Sequence, residues 1–385
     1  MRAFVDAACA ALVGFVLLAG CGSGRPPPAG ESSGAVGPSP QAGGGDGSGD
    51  AGTKPPGCGQ KDDGSYCDCV DVPLFAEAPN IYFVLDRSGS MADDGKWSRV
   101  RGVVAQVLRG LGPRANFGAT VFPGPQDDAC APPREVMSIR PGDPPGADGP
   151  TTKHLLQVTA PGPSGGTPTS EALRFVLPKL RAASGKTFVI LATDGAPNCN
   201  PQTACGYDKC MANIEDVPGC PSAGPLNCCE PPYGTREACL DGDATSGAVA
   251  ALASAGFPVY VVGIPGSARY GSLLDDLAVK GGTALSTSPR YYKIETSTDS
   301  AILATLKKVA AKIVATCTFE LKEPPAAPDL VNVYLDEQVL PKDPVNGWSI
   351  EGKTVTVLGT ACDRLLAGEV LGVRIIAGCP TINPR

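Results

Sequence analysis

The sequence has one histidine, no run of lysine or arginine and, beyond its first twenty residues, no apolar stretch long enough to cross a membrane. Each absence removes a class of function. With His154 alone, neither a histidine-based zinc hydrolase nor a Cys–His nucleophile pair can be assembled. A net charge of −7 without a basic patch argues against nucleic acid as a partner. No G-x-x-x-x-G-K-S/T stretch follows an apolar run, so no nucleotide loop is expected. Gly162-Pro163-Ser164-Gly165-Gly166 fits the nucleophile pattern G-x-S-x-G. Hydrolases built on it place the serine ahead of the histidine, and here His154 comes first. The expectation is a binding protein and not an enzyme.

The N-terminus sets the compartment. An apolar stretch runs from Ala7 to Leu18 and ends Leu18-Ala19-Gly20-Cys21. It is short and closes on small residues, as a secretory signal does and a membrane span does not. Cys21 directly after Leu-Ala-Gly resembles a bacterial lipobox, which implies cleavage before Cys21 and lipid on that residue. Asp6 is unusual in a signal's charged n-region. Gly22 follows the cysteine where an aspartate would retain some lipoproteins at the inner membrane, so the outer membrane is favoured. Residues 22–57 are almost all Gly, Pro, Ala, Ser and Asp, too poor in apolar surface to fold. They read as a tether spanning roughly 30–35 Å.

Cysteine, by contrast, is plentiful. Of sixteen, Cys9 leaves with the signal and Cys21 takes the lipid, and fourteen remain in an exported chain. Disulfides are the default there. Seven of the fourteen fall between Cys199 and Cys239, in a stretch rich in Pro, Gly and Asn, which reads as a stapled insertion over residues 198–240. The rival is zinc, but Cys205-x4-Cys210 and Cys228-Cys229 do not form clean C-x-x-C knuckles. Cys58, Cys67 and Cys69 form a smaller knot in the lead-in, residues 58–79.

Hydrophobic patterning gives the fold class. Ile81–Leu85 and Thr187–Thr193 are continuous apolar runs of the kind buried parallel strands show, and Phe117–Phe122 and Val259–Ile264 read as further strands. Trp97, Val100, Val104, Val107, Leu108 and Leu111 recur at helical spacing, as do Ala172, Leu173, Val176, Leu177 and Leu180. Helices are also expected over 244–255, 273–279 and 302–314, a loop over 124–150, and short strands over 155–158 and 291–294. Alternating strands and helices predict an α/β domain, a doubly wound and mostly parallel sheet, over residues 80–316. Residues 317–385 change to alternating apolar residues broken by Pro and Gly, a small β unit stapled by Cys317, Cys362 and Cys379. Three is odd, so at least one is expected to pair outside the unit, with the Cys58–Cys69 knot of the lead-in as the candidate.

Three loops carry the chemistry: Asp86-Arg87-Ser88-Gly89-Ser90, Gly165-Gly166-Thr167 and Thr193-Asp194-Gly195. Carboxylates and hydroxyls are hard oxygen ligands suited to Mg²⁺, Mn²⁺ or Ca²⁺. Asp86 and Asp194 end predicted strands, where ligands bind in doubly wound sheets. Taken singly, Thr167 could be a helix cap ahead of Pro168, and Thr-Asp-Gly a turn. In this order the loops resemble the von Willebrand factor A family, whose metal-ion-dependent adhesion site reads D-x-S-x-S, then T, then D. The resemblance extends to Met91, to residues 165–173 and to Ala-Thr-Asp-Gly-Ala-Pro-Asn at 192–198. It implies that Ser88 and Ser90 hold the ion directly, with Thr167 in at least one state, and that Asp86 and Asp194 do so directly or through water. Mg²⁺ is the favoured ion. A protein partner's carboxylate would fill the open position, giving metal-dependent adhesion or envelope protein binding. The alternative is a structural envelope protein whose ion only steadies loops. Asp93 and Asp94 match the spacing of a second cation site in integrin β subunits, or are simply acids ahead of a helix. The cysteine-rich insertion, just after Asp194, would flank the metal face.

Overall fold

Asn80 to Asp86 is one unbroken buried strand, β2, and the rest of the main domain is laid around it. The computed structural model describes residues 70–71 and 78–382, apart from 126–127, 145–146, 315, 322, 326, 337 and 368. The expectations for the signal, Cys21, the tether and the lead-in cysteines lie outside the described residues. After β2 come helix α1 (Lys96–Leu111), β3 (Asn116–Phe122), β4 (Arg134–Pro141), α2 (Pro150–Val158) and α3 (Thr169–Ala182). Then follow β5 (Thr187–Thr193), the short α4 (Met211–Ile214), α5 (Gly242–Ser254), β6 (Val259–Gly263), α6 (Gly271–Lys280), β7 (Tyr292–Lys293) and α7 (Asp299–Val314).

The six-stranded sheet has the order β4-β3-β2-β5-β6-β7. All neighbours are parallel except β3 and β4. The chain fills one side of β2 with β3 and β4 and then returns to its other side with β5. The switch in strand order therefore falls between β2 and β5, and the crevice it opens lies at their carboxyl ends. Alternation along β2 feeds both faces. Ile81, Phe83 and Leu85 join the core under α1 and α7, while Tyr82 and Val84 join the core under α3, α5 and α6. This is the expected α/β doubly wound sheet.

Two expectations are corrected. Residues 155–158 belong to helix α2, not to a strand. Pro150 sits at the helix's first turn, and the Asp143 carboxylate accepts the free N–H groups of Thr151 and Thr152 at 2.9 and 2.7 Å. That cap comes from seven residues upstream of the helix, so no local spacing announces it. The expected loop over 124–150 contains β4, which is half-buried or exposed along its length except at the buried Met137. An edge strand tolerates Pro at its end and lacks the continuous apolar run of a central strand.

The insertion is a disulfide cluster, with Cys205–Cys239, Cys210–Cys229 and Cys220–Cys228 inside it. Cys205, Cys229 and Cys239 lie close enough to hold an ion, but each is already in a disulfide, so the thiolates zinc requires are absent. The tail holds β8 (Thr318–Glu320), β9 (Val331–Leu335), β10 (Gln338–Leu340), β11 (Trp348–Glu351), β12 (Thr354–Val357) and β13 (Val373–Ala377). They form two antiparallel sheets, β11-β12-β8 and β1-β13-β9-β10, with β1 (Val70–Asp71) supplied by the lead-in. A helix that the alternating pattern concealed, α8 (Thr360–Ala367), closes the unit, and Cys317–Cys362 staples it. The expected pairing of a tail cysteine with the lead-in lies outside the described residues.

Arg114 joins tail to main domain. It is 2% exposed, donates to Leu371 O and to Val314 O at the end of α7, and lies over the Phe319 ring. Burial lowers its pKa to about 10, partly opposed by Asp336. Arg114→Ala is expected to cost about 2–4 kcal/mol, because two buried carbonyls lose their donor. Denaturant unfolding under non-reducing conditions measures this, and a loss below about 0.5 kcal/mol would show that the contact is incidental.

Candidate metal centre

The centre starts from a charge with nowhere to go. Asp86, the last residue of β2, has no exposed surface. Its Oδ1 accepts the Ser88 N–H at 2.8 Å and its Oδ2 the Thr193 hydroxyl at 2.5 Å. Those two bonds fix the direction in which the loop leaves the strand. Asp194, one residue beyond β5, is 3% exposed. Burial first, and then the charge of Asp194, raises the Asp86 carboxyl from 3.8 to about 7, and hydrogen bonds from Ser88 and Thr193 pull it back only in part.

The hydroxyls link the carboxylates. Ser88 Oγ lies 3.2 Å from Ser90 Oγ, and Ser90 Oγ donates to Asp194 Oδ1 at 2.8 Å. Ser88 is 2% exposed, whereas Ser90 faces solvent. Asp86, Ser88, Ser90 and Asp194 thus form one connected group at the switch between β2 and β5. Thr167 is 6% exposed and is held by its backbone. Its N–H donates to Asn198 Oδ1 at 2.7 Å, and its carbonyl accepts from the Asn198 N–H at 2.9 Å. Its loop is tied to the first one by Gly89 N–H to Gly165 O, 2.8 Å.

The supports of these loops are specific. Arg87, 3% exposed, donates to the carbonyls of Pro123, Gly124 and Gly162. One guanidinium therefore pins three segments behind the centre. Gly165 and Gly166 pass where a side chain would not fit. At φ +81° a Cβ on Gly165 would meet Ala129 O at 2.5 Å, and one on Gly166 would meet Cys199 Sγ at 2.6 Å. The Cys130–Cys199 disulfide ties that neighbourhood together. The insertion is moored alongside. The Asp241 carboxylate accepts from Ser170, Asn200 and Thr203. Tyr270 donates to Glu215 at the end of α4, and both Glu215 and Asp194 add to the burial that raises its phenol. The insertion therefore does lie beside this face.

The donor set fits a hard divalent ion. It has two carboxylates, two hydroxyls within 3.2 Å of each other and no soft ligand. Asp86 is a buried carboxyl with no cation bonded to it among the described residues, and buried carboxylates are ordinarily paired. Ser88, Ser90, Asp86 and Asp194 would hold the ion, with Thr167 in the adjoining loop. Asp93 and Asp94 are exposed in the turn before α1, and Asp93 Oδ2 is 4.0 Å from Lys96 Nζ, the ammonium that also reaches Asp194. His154 Nε2 lies 3.3 Å from Val136 O, and Ser164 is exposed with its N–H donated to Arg87 O.

Sequence reasoning passed over Lys96, whose ammonium lies 2.7 Å from Asp194 Oδ2 and 3.2 Å from Ser90 O. A signal was available, since a lysine opening a helix opposes the helix dipole and needs a partner. Arg87 and Asn198 gave none, because their bonds run to carbonyls and loops distant in sequence.

Residues 80–215 match the von Willebrand factor type A domain. No curated protein matches the chain. Among solved structures, the pilus adhesin SpaC from Lactobacillus rhamnosus GG aligns at 18% identity and a TM-score of 0.46, over 81% of this chain and 41% of its own. This chain thus spans about two fifths of that adhesin's length. The vWF domain of the type V pili tip protein Mfa5 from Porphyromonas gingivalis aligns at 14% and 0.41, over 63% of this chain and 96% of its own. The manganese-loaded Plasmodium vivax TRAP protein aligns at 14% and 0.37, over 62% and 76%.

The raised Asp86 carboxyl has a consequence without any ion. Between about pH 4 and about pH 7 the folded chain keeps a proton that the unfolded chain has released, so cation-free stability falls as pH rises through that window. In chelator, the wild-type melting temperature should drop across this range, and Asp86→Asn should flatten the profile. Parallel profiles would show that Asp86 is not strained by its burial.

Proposed function

We propose that this protein is an exported binding module that engages a protein partner through a divalent ion held by Asp86, Ser88, Ser90, Thr167 and Asp194. The observation that carries the reading is the convergence of two buried carboxylates and two hydroxyls at the switch between β2 and β5. A bound Mg²⁺ or Mn²⁺ would supply an electrophilic centre for an anionic oxygen. The chain's own groups do the rest. Asp86 and Ser88 set the loop's exit from the strand, Ser90 reaches the rim, and Asn198 holds Thr167 in register. The partner's matching group is a carboxylate, because the hydroxyl ligands are neutral and one of the two carboxylates that would balance the ion is already shared with Lys96. The insertion supplies surface beside it. Binding and not catalysis is favoured, since the one histidine, on α2, contacts a carbonyl of β4 and Ser164 has no base beside it among the described residues.

A second reading, a structural protein whose ion only steadies loops, has one observation in its favour: Lys96 already engages Asp194. Calorimetric titration of Mg²⁺ and Mn²⁺ into wild type and Asp194→Ala separates the possibilities. The binding reading expects wild type to take up the ion with a dissociation constant below about 1 mM and the variant to lose it. No uptake by folded wild type would leave the five residues as turns and caps.

The Leu18-Ala19-Gly20-Cys21 sequence supports lipid attachment at Cys21 and anchoring at the cell envelope, with the outer membrane favoured. Among the described residues no helix is long and apolar enough to cross a membrane. Labelled palmitate should enter the wild-type chain and not Cys21→Ala. Equal labelling of both, or of neither, counts against the anchor.

A further inference from the structure

Lys96 offers no oxygen to an ion, yet it lies among the groups that would. It is the first residue of α1, with 6% of its surface exposed, at the end of the helix where the dipole disfavours a cation. Its ammonium is 2.7 Å from Asp194 Oδ2, 3.2 Å from Ser90 O and 4.0 Å from Asp93 Oδ2. Gly266, at φ +110°, leaves it room. A Cβ there would stand 3.3 Å from the ammonium and 3.3 Å from Asp194 O. Of the carboxylate groups around Lys96, Asp194 is buried with it and Asp93 is exposed to solvent, so Asp194 is the pair that matters.

The charges then count as follows. Asp86 and Asp194 bring two negative charges and Lys96 one positive. A divalent ion bound by the same carboxylates meets a fixed ammonium bonded to one of them. Like charges in a site withdrawn from water repel far more strongly than on the surface. The ammonium must leave Asp194 or be tolerated beside the ion, and either lowers the ion's affinity.

We propose that Lys96 is a resident counterion of the centre that competes with the divalent ion for Asp194. It offsets one of the pair's two negative charges when no ion is present and makes the site release its ion readily. An anionic ligand oxygen offsets the surplus positive charge, so ion and ligand are retained together. This rests on the metal-binding reading above.

The test titrates Mn²⁺ into the full chain, wild type, Lys96→Met, Lys96→Gln and Asp194→Ala, following free Mn²⁺ by electron paramagnetic resonance. Melting temperatures are recorded with chelator and with Mn²⁺. Both Lys96 variants should bind Mn²⁺ about tenfold or more tightly than wild type. They should melt lower than wild type in chelator and gain more from Mn²⁺, which a purely structural lysine would not produce. Equal or weaker Mn²⁺ affinity in the folded variants overturns the proposal while leaving the metal site standing. If wild type and both variants fail to bind, or Asp194→Ala binds like wild type, the metal reading itself falls and takes the proposal with it. Should both Lys96 variants fail to fold in chelator, folding restored by Mn²⁺ upholds the competition, and no restoration overturns it.

Discussion

Two aspartates withdrawn from water at the ends of adjacent strands, with one ammonium for the pair, are the constraint to which the rest of this structure answers. Asp86 is buried because β2 is the central strand, and Asp194 is buried because β5 runs beside it. The parallel register brings the two ends to the same level. A carboxylate in that position is stable only with hydrogen bonds, a cation or a proton. Asp86 shows the first in the Ser88 and Thr193 bonds and the third in its raised pKa, while the second reaches only Asp194 through Lys96.

The surrounding architecture reads as preorganisation for that group. Three loops distant in sequence have to meet within hydrogen-bond distances, and each is fixed from behind. Arg87 grips three carbonyls, Asn198 grips both backbone groups of Thr167, and the Cys130–Cys199 disulfide joins the segments that press on Gly165 and Gly166. The disulfide cluster of the insertion has little helix or strand of its own and substitutes covalent staples for a core. Asp241 moors it to the first turn of α3, so the hardened insertion and the helix that follows the Thr167 loop share one support.

The features legible in the sequence were those with a local cause. Continuous apolar runs announced β2 and β5, helical spacing announced α1 and α3, and the D-x-S-x-S, T and D residues sat where those elements end. The unreadable features depend on distant partners. Helix α2 is capped by Asp143 from outside its own segment. The edge strand β4 buries only Met137 fully, so no alternation patterns it, and it lies among prolines. Helix α8 sits inside a run of strand-like alternation and is fixed by the Cys317–Cys362 bond, a pairing no spacing specifies. Arg114 looked like any surface arginine until α7 and the tail closed over it. In the centre itself, spacing marked the oxygen-bearing residues but not the ammonium, because Lys96 reaches Asp194 only once β5 lies beside β2.

Anomalous diffraction from crystals grown with Mn²⁺ decides whether this group of oxygens holds an ion. The expected result is one strong peak bonded to the hydroxyls of Ser88 and Ser90 at about 2.0–2.6 Å, with Asp86 and Asp194 around it. A peak elsewhere, or none with Lys96 still on Asp194 at saturating Mn²⁺, would contradict it.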